Sequence, residues 1–201
     1  RLFLVVNYSW GRSTANPAGA FSIPASGDAL ASEWGPAAGD VRHRVGGSFS
    51  LAPFKNFSMS VNVRGQSGQP YNMTTGRDDN ADGVFNDRPV GVSRNSARGS
   101  AIWDLGGRVS YALGFGTPRQ NQGGGGGVRT VIYSDGGGLS PGFGGGASDK
   151  RYRVEFYLSG QNLLNRANYT AYSFVLTSPF YGRPIAAAQP RKLQAGVRFS
   201  F

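Results

Sequence analysis

The chain has 201 residues, 21 Lys and Arg against 11 Asp and Glu, a net charge of +10, no Cys and a single His. It therefore holds no disulfide framework, thiolate metal site or cysteine nucleophile, and His43 alone excludes any site that needs two imidazoles. The basic residues are scattered at alternate positions, with no basic helix, zinc module or aromatic RNA-binding strand, so nucleic acid is not the expected partner.

The longest aliphatic and aromatic run, Leu2 to Val6, is far too short for a spanning helix. A membrane barrel stays open, because its strands need only about ten alternating residues each. Arg1 is not an initiator Met, and the chain is expected to begin inside a longer protein.

Period-two alternation recurs along the chain, and it predicts six strands. In the first, Leu2, Leu4, Val6, Tyr8 and Trp10 share a face, blurred by Phe3 and Val5. In the second, Val45, Gly47, Phe49 and Leu51 lie opposite Arg44, Ser48 and Ser50. Phe57, Met59, Val61 and Val63 then alternate with Ser58, Ser60, Asn62 and Arg64. Trp103, Leu105, Val109, Tyr111 and Leu113 alternate with Asp104, Arg108 and Ser110. Tyr152, Val154, Phe156 and Leu158 alternate with Arg151, Arg153, Glu155 and Ser159. Last, Leu193, Ala195, Val197, Phe199 and Phe201 oppose Lys192, Gln194, Arg198 and Ser200. Helical periodicity is nowhere convincing.

Connection lengths carry a second signal. Ala52–Asn56 reads as a tight turn, whereas 11–42, 66–100 and 162–189 are long and rich in Gly, Pro, Asn and Ser. Long loops are uncommon in compact soluble domains but habitual on the outer side of membrane barrels. Counting back from a periplasmic carboxy terminus puts all three long intervals outside and the tight turn inside. Residues 115–150 break this rule as a Gly-rich insertion, expected to be flexible, with Val128–Tyr133 as a brief extended piece. Tyr8, Trp10, Trp103, Tyr152, Phe199 and Phe201 fall near strand ends, as interfacial girdles do.

Two candidate sites lie in the second long interval. Asp78, Asn80, Asp82 and Gly83 follow the D-x-N-x-D-G opening of a calcium loop, with the Val84 carbonyl at its seventh position and Asn86 at its ninth. Position twelve is Pro89 instead of a bidentate Glu, and Asp87 is the available substitute; the alternative is a self-bonded Asx-turn loop. Arg88, Arg94 and Arg98 form a cationic group able to attract an anion, to pair with acidic neighbours or to meet lipid headgroups. Arg44, Arg64, Arg108, Arg151, Arg153, Glu155 and Arg198 line the polar faces. No nucleophile elbow and no convergent acid–base pair is present, so the chain does not read as an enzyme.

Three stretches carry a resemblance. They are Gly68-Gln69-Pro70-Tyr71 with Gly76 to Pro89, Arg94-Asn95-Ser96 and Gly99; the strand exit Gly160-Gln161-Asn162-Leu163-Leu164-Asn165-Arg166-Ala167-Asn168-Tyr169; and the ending Pro190 to Phe201. Together they resemble the carboxy-terminal part of TonB-dependent outer-membrane receptors, the Oar-like group in particular. The resemblance implies an all-β, antiparallel, up-and-down transmembrane barrel of about 22 strands, of which residues 1–201 supply the last six or so. It implies a Gram-negative outer-membrane location and ligand uptake, with TonB engaged through an amino-terminal plug outside this chain. Lipid covers the outer face, and Leu193, Val197, Phe199 and Phe201 belong to the terminal signal read by the barrel-assembly machinery. The rival expectations are a plug-less porin or adhesin-like barrel, and a soluble carbohydrate-binding or adhesive β-sandwich.

Overall fold

The computed structural model describes residues 1–16, 22–26, 30–118 and 150–201. In chain order the elements are β1 Leu2–Trp10, β2 Thr14–Ala15, a 3-10 turn Leu30–Glu33, β3 Gly35–Pro36, β4 His43–Leu51, β5 Phe57–Gln66, β6 Pro70–Tyr71, β7 Ala97–Arg98, β8 Ile102–Pro118, β9 Lys150–Gln161, β10 Tyr169–Tyr172, β11 Pro184–Ala187 and β12 Lys192–Ser200. The six long strands form one antiparallel meander, β1-β4-β5-β8-β9-β12, each paired with its neighbour in sequence. These are the six strands the alternation predicts. The sheet is not closed: β1 and β12 are its two edges.

Register turns the alternation of single strands into two continuous faces. Leu4 lies opposite Phe49, Phe49 opposite Val61, Val61 opposite Gly107, Gly107 opposite Gly160 and Gly160 opposite Leu193. The next row of that face runs Leu2, Leu51, Met59, Val109, Leu158, Ala195. The intervening row, on the other face, runs Phe3, Ser50, Ser60, Arg108, Ser159, Gln194. A slip of one residue in any pairing would invert that strand, so six correct pairings are needed to keep the faces apart.

Among the described residues, much of the apolar face is left exposed. Leu4 is 59% exposed, Val6 67%, Leu158 54% and Val197 63%. Only Ala25, Val41 and Ala112 are buried hydrophobics among the described residues. At about 4.8 Å between strands and 3.3 Å per residue, the face measures on the order of 700 Å². That exceeds the largest apolar patch of a typical soluble monomer, roughly 300–600 Å².

The glycines of the strand exit have a packing reason. Gly107 and Gly160 are directly paired, and Leu163, after the chain turns at the positive-φ Asn162, folds back over both. The Leu163 amide donates to the Leu105 carbonyl at 2.8 Å, fixing the fold-back. A Cβ at Gly160 would collide with the Leu163 and Leu193 side chains. Beyond it, Asn168 offers Trp103 a side-chain copy of a strand partner: its Nδ2 donates to the Trp103 carbonyl at 2.7 Å and its Oδ1 accepts the Trp103 amide at 3.0 Å.

All three long connections leave from one end of the meander, and the Ala52–Asn56 turn lies at the other. The turn carries the positive-φ Asn56, whose carbonyl accepts the Ala112 amide at 2.8 Å. At its described ends, the 115–150 interval still belongs to the sheet, with β8 reaching Pro118 and β9 beginning at Lys150. Phe115 still pairs with Tyr152 and, past a register shift, Pro118 with Lys150. Residues 119–149, including Val128–Tyr133, lie outside the described residues. Aromatic rings gather at that end, with Phe115–Tyr152 centroids 5.6 Å apart and Tyr152–Phe199 6.2 Å.

Gly160→Val is expected to lower stability by about 1–3 kcal/mol through overpacking against Leu163 and Leu193. Gly39→Val, at a position open to solvent, serves as the control. Thermal melting followed by circular dichroism in detergent separates the two.

Candidate functional site

The long connections pack on one another through polar contacts, and two buried carboxylates organise them. Glu33, at the end of the 3-10 turn, accepts Arg88 Nη2 on Oε1 at 2.8 Å and the Ala25 amide at 3.0 Å, with Arg94 Nε 3.8 Å from Oε2. Asp40 accepts the Ser13 amide on Oδ1 at 2.7 Å and Arg98 Nη2 on Oδ2, while Arg42 lies at 4.0 Å. Glu33 is 4% exposed and Asp40 2%. Arg94 also donates to the Ala15 carbonyl at 3.3 Å, and Asn95 Nδ2 to the Pro36 carbonyl at 2.8 Å. The β2–β3 pair of the first connection is thereby clamped to the second.

The second and third connections are joined by backbone and rings. The Thr74 amide donates to the Phe174 carbonyl at 3.1 Å, and the Leu176 amide to the Thr74 carbonyl at 2.9 Å. Tyr71 stacks on Phe174 at 4.0 Å between centroids. Tyr172 Oη donates to Ser100 Oγ at 2.6 Å.

Arg88, Arg94 and Arg98, grouped by sequence as an anion-attracting set, each face a carboxylate from the first connection. Those partners are Glu33 and Asp40, not the aspartates beside the arginines in sequence. Sequence reasoning passed over both acids. The available signal was that they are the acidic residues of the first connection nearest its β3 strand, facing a connection rich in Arg.

Residues 78–87 form a loop bonded largely to itself. Asp78 Oδ1 accepts the Asp82 amide at 3.0 Å and Oδ2 the Gly83 amide at 2.9 Å. Asn80 Oδ1 accepts the same Asp82 amide at 3.1 Å, and Asp82 Oδ1 accepts the Val84 amide at 2.8 Å. Asp87 Oδ2 is taken up by the amides of Asp79, 2.7 Å, and Asn80, 3.3 Å. The oxygens of positions 78 and 80 thus converge on one amide, as in a self-bonded Asx loop. Among the described residues, no three acidic, His or Cys side chains gather to hold a metal. Asn86 Nδ2 donates to the Ile23 and Pro24 carbonyls at 3.2 and 3.3 Å, tying the loop to the first connection. Its Oδ1 is buried without a hydrogen-bond partner.

The polar face of the sheet carries a separate network. Glu155 Oε1 accepts Arg108 Nη2 at 3.0 Å, and Arg153 lies 3.9 Å from Oε2. The Arg108 guanidinium sits 4.0 Å over the Tyr157 ring. Asp104 Oδ1 accepts the Asn162 amide at 3.1 Å, so Asp104 and Glu155 do not converge as a catalytic pair. Leu193, Val197 and Phe199 all lie on the apolar face of β12, and the Phe201 ring lies tilted against Phe199 at 5.9 Å between centroids.

Both loop carboxylates are held below their ordinary values of 4.5 for Glu33 and 3.8 for Asp40. Burial alone raises Glu33, but hydrogen bonds from Arg88 and the Ala25 amide, with the charges of Arg88 and Arg94, overcome it. The Ser13 amide is the main cause at Asp40; burial opposes it and Arg98 adds to it. Depressed folded-state values mean that these contacts stabilise fully above the unfolded-state values and are lost as pH falls through the folded ones. Limited proteolysis is therefore expected to leave the connections intact at pH 7 and to cut them progressively below about pH 4. Glu33→Gln is expected to weaken the clamp at neutral pH by about 3–5 kcal/mol, since it leaves Arg88 buried without its counter-charge. Searches of protein-family models, of curated proteins and of solved structures found nothing that matches this chain.

Proposed function

We propose that this chain is one wall of an outer-membrane β-barrel, the carboxy-terminal part of a TonB-dependent receptor that takes up an external ligand. The observation that carries the membrane reading is the uncharged apolar face running unbroken across six strands, opposite a face that holds Arg44, Arg64, Asp104, Arg108, Arg153 and Glu155. A strand of nine or ten residues is about 32 Å long, and a tilt near 40° brings its height to about 25 Å, the apolar band of such barrels. Tyr8, Trp10 and Trp103 at one end, with Tyr152, Phe199 and Phe201 at the other, fit the two interfacial girdles. A β-sandwich needs a second sheet on the apolar face, and the described residues supply none. Barrel closure, about 22 strands in all, the plug and the TonB contact come from the sequence resemblance. In this reading the loop cluster faces outward, the terminal strand is read by the assembly machinery, and the chain catalyses nothing.

Expressed in water without detergent, these residues are expected to aggregate, and detergent is expected to recover a β-rich species by light scattering and circular dichroism. A soluble monomer that melts cooperatively would favour the sandwich. Binding of the TonB periplasmic domain to the intact protein separates a receptor from a plug-less porin.

A smaller proposal concerns the 78–87 loop, where Asp78, Asn80, Asp82, the Val84 carbonyl, Asn86 and Asp87 are the candidate ligands for Ca²⁺. Its support is the D-x-N-x-D-G spacing of Asp78, Asn80, Asp82 and Gly83, as in the opening of a calcium loop. Calorimetric titration with CaCl₂ is expected to show heat that Asp78→Asn/Asp82→Asn abolishes; no heat in the unsubstituted protein leaves a self-bonded turn.

A further inference from the structure

We infer that the polar face holds an oxyanion site at its loop end, built by Arg44 and Arg64 for a small molecule bearing a carboxylate or a phosphate. The site rests on strand register and stands apart from the ligand-uptake reading. Two consecutive cross-strand rows define it. One is Asn7, Gly46 and Arg64; the other is Ser9, Arg44 and Gln66. All six residues point to the same face, and with Tyr8, Val45 and Gly65 of the same strands they line an open recess of about 330 Å³.

The centre of the grid is Gly46, which has no side chain and so forms the floor. The Asn7 amide leans over it, so close that a Cβ at position 46 would meet Asn7 Oδ1. Arg44 and Arg64 stand at opposite corners of this floor. Diagonal partners on adjacent strands are separated by about 7–8 Å, a span two guanidiniums close on a single oxyanion. Asn7, Ser9 and Gln66 add neutral donors around them.

What sets these two arginines apart is that neither is held in an ion pair among the described residues. In the other cationic cluster on this face, Arg108 and Arg153 share one carboxylate, Glu155, at 3.0 and 3.9 Å. Asp104 lies opposite Arg64 in register, but it caps the Asn162 amide and makes no ion pair with Arg64 among the described residues. Arg44 and Arg64 are both exposed and have neither an ion pair nor a hydrogen-bonded side chain among the described residues. Two like charges held side by side repel, and an anion between them relieves that repulsion while completing bidentate hydrogen bonds. A single phosphate or carboxylate matches this chemistry; an apolar or cationic ligand does not.

The test is calorimetric titration of the full-length protein, in detergent micelles, with inorganic phosphate and with citrate at low salt. Binding is expected, with a dissociation constant that rises at least about tenfold in Arg44→Gln/Arg64→Gln. It is expected to weaken with added NaCl. Arg153→Gln, on the same polar face but outside the recess and beside Glu155, is expected to bind as the unsubstituted protein does. Gly46→Ala, which fills the floor, is expected to weaken binding while both charges remain, and it supplies the answer if the double variant loses its β-sheet spectrum. Absence of binding by both anions, or affinity unchanged from the unsubstituted protein in the Gln double variant and in Gly46→Ala, would overturn the site.

Discussion

The constraint on which the rest of this structure depends is the pleat held in register. Each strand by itself merely alternates; six strands paired without a slip make one apolar face and one polar face. The backbone ladders satisfy the amides and carbonyls of every inner strand, so the apolar face carries no unpaired polar backbone. Among the described residues, its side chains have little protein to pack against, and the buried apolar residues are too few to serve as a core. Stabilisation by burial of this face must then come from what surrounds the sheet. A hydrocarbon phase meets that requirement, and it is the physical basis of the barrel-wall proposal.

The loop end obeys a different logic. With little apolar material, the three long connections are held by buried charge. Glu33 and Asp40 sit where the first connection meets the second, and each is satisfied by guanidiniums and backbone amides together. Such a buried arrangement adds little net stability over an apolar one, but removing one partner is severe, so it fixes which connection docks where. Stacked rings do the corresponding work between the second and third connections.

Much of the sheet was legible in the sequence because its signal is local. The first strand matches the alternation residue for residue, Leu2–Trp10. Other ends run further than the pattern: β5 reaches Gln66 and β9 reaches Gln161, because the backbone ladder continues through polar residues and glycines that carry no hydrophobic signature. The tight turn and the common end of the long connections also followed from spacing. The loop cluster did not. Glu33 meets Arg88 and Arg94 across more than fifty residues, and no periodicity encodes such a pairing. The aspartates of 78–87 drew notice as a metal motif, yet their oxygens chiefly hold loop amides, a competition that Asx side chains enter wherever the chain turns. No local pattern explains Gly107 and Gly160 either, because Leu163 lies over them only in three dimensions.

The central claim is that the apolar face meets lipid, and the absence of Cys makes it directly testable. Single cysteines placed in turn at each position from Phe57 to Gln66, spin-labelled in the bilayer-reconstituted full-length protein, report collision with oxygen and with a water-soluble relaxant. The account predicts a period of two, with oxygen favoured at Phe57, Met59, Val61 and Val63 and the aqueous reagent favoured at Ser58, Ser60, Asn62 and Arg64. A flat profile, or aqueous access at Met59 and Val61, would contradict it.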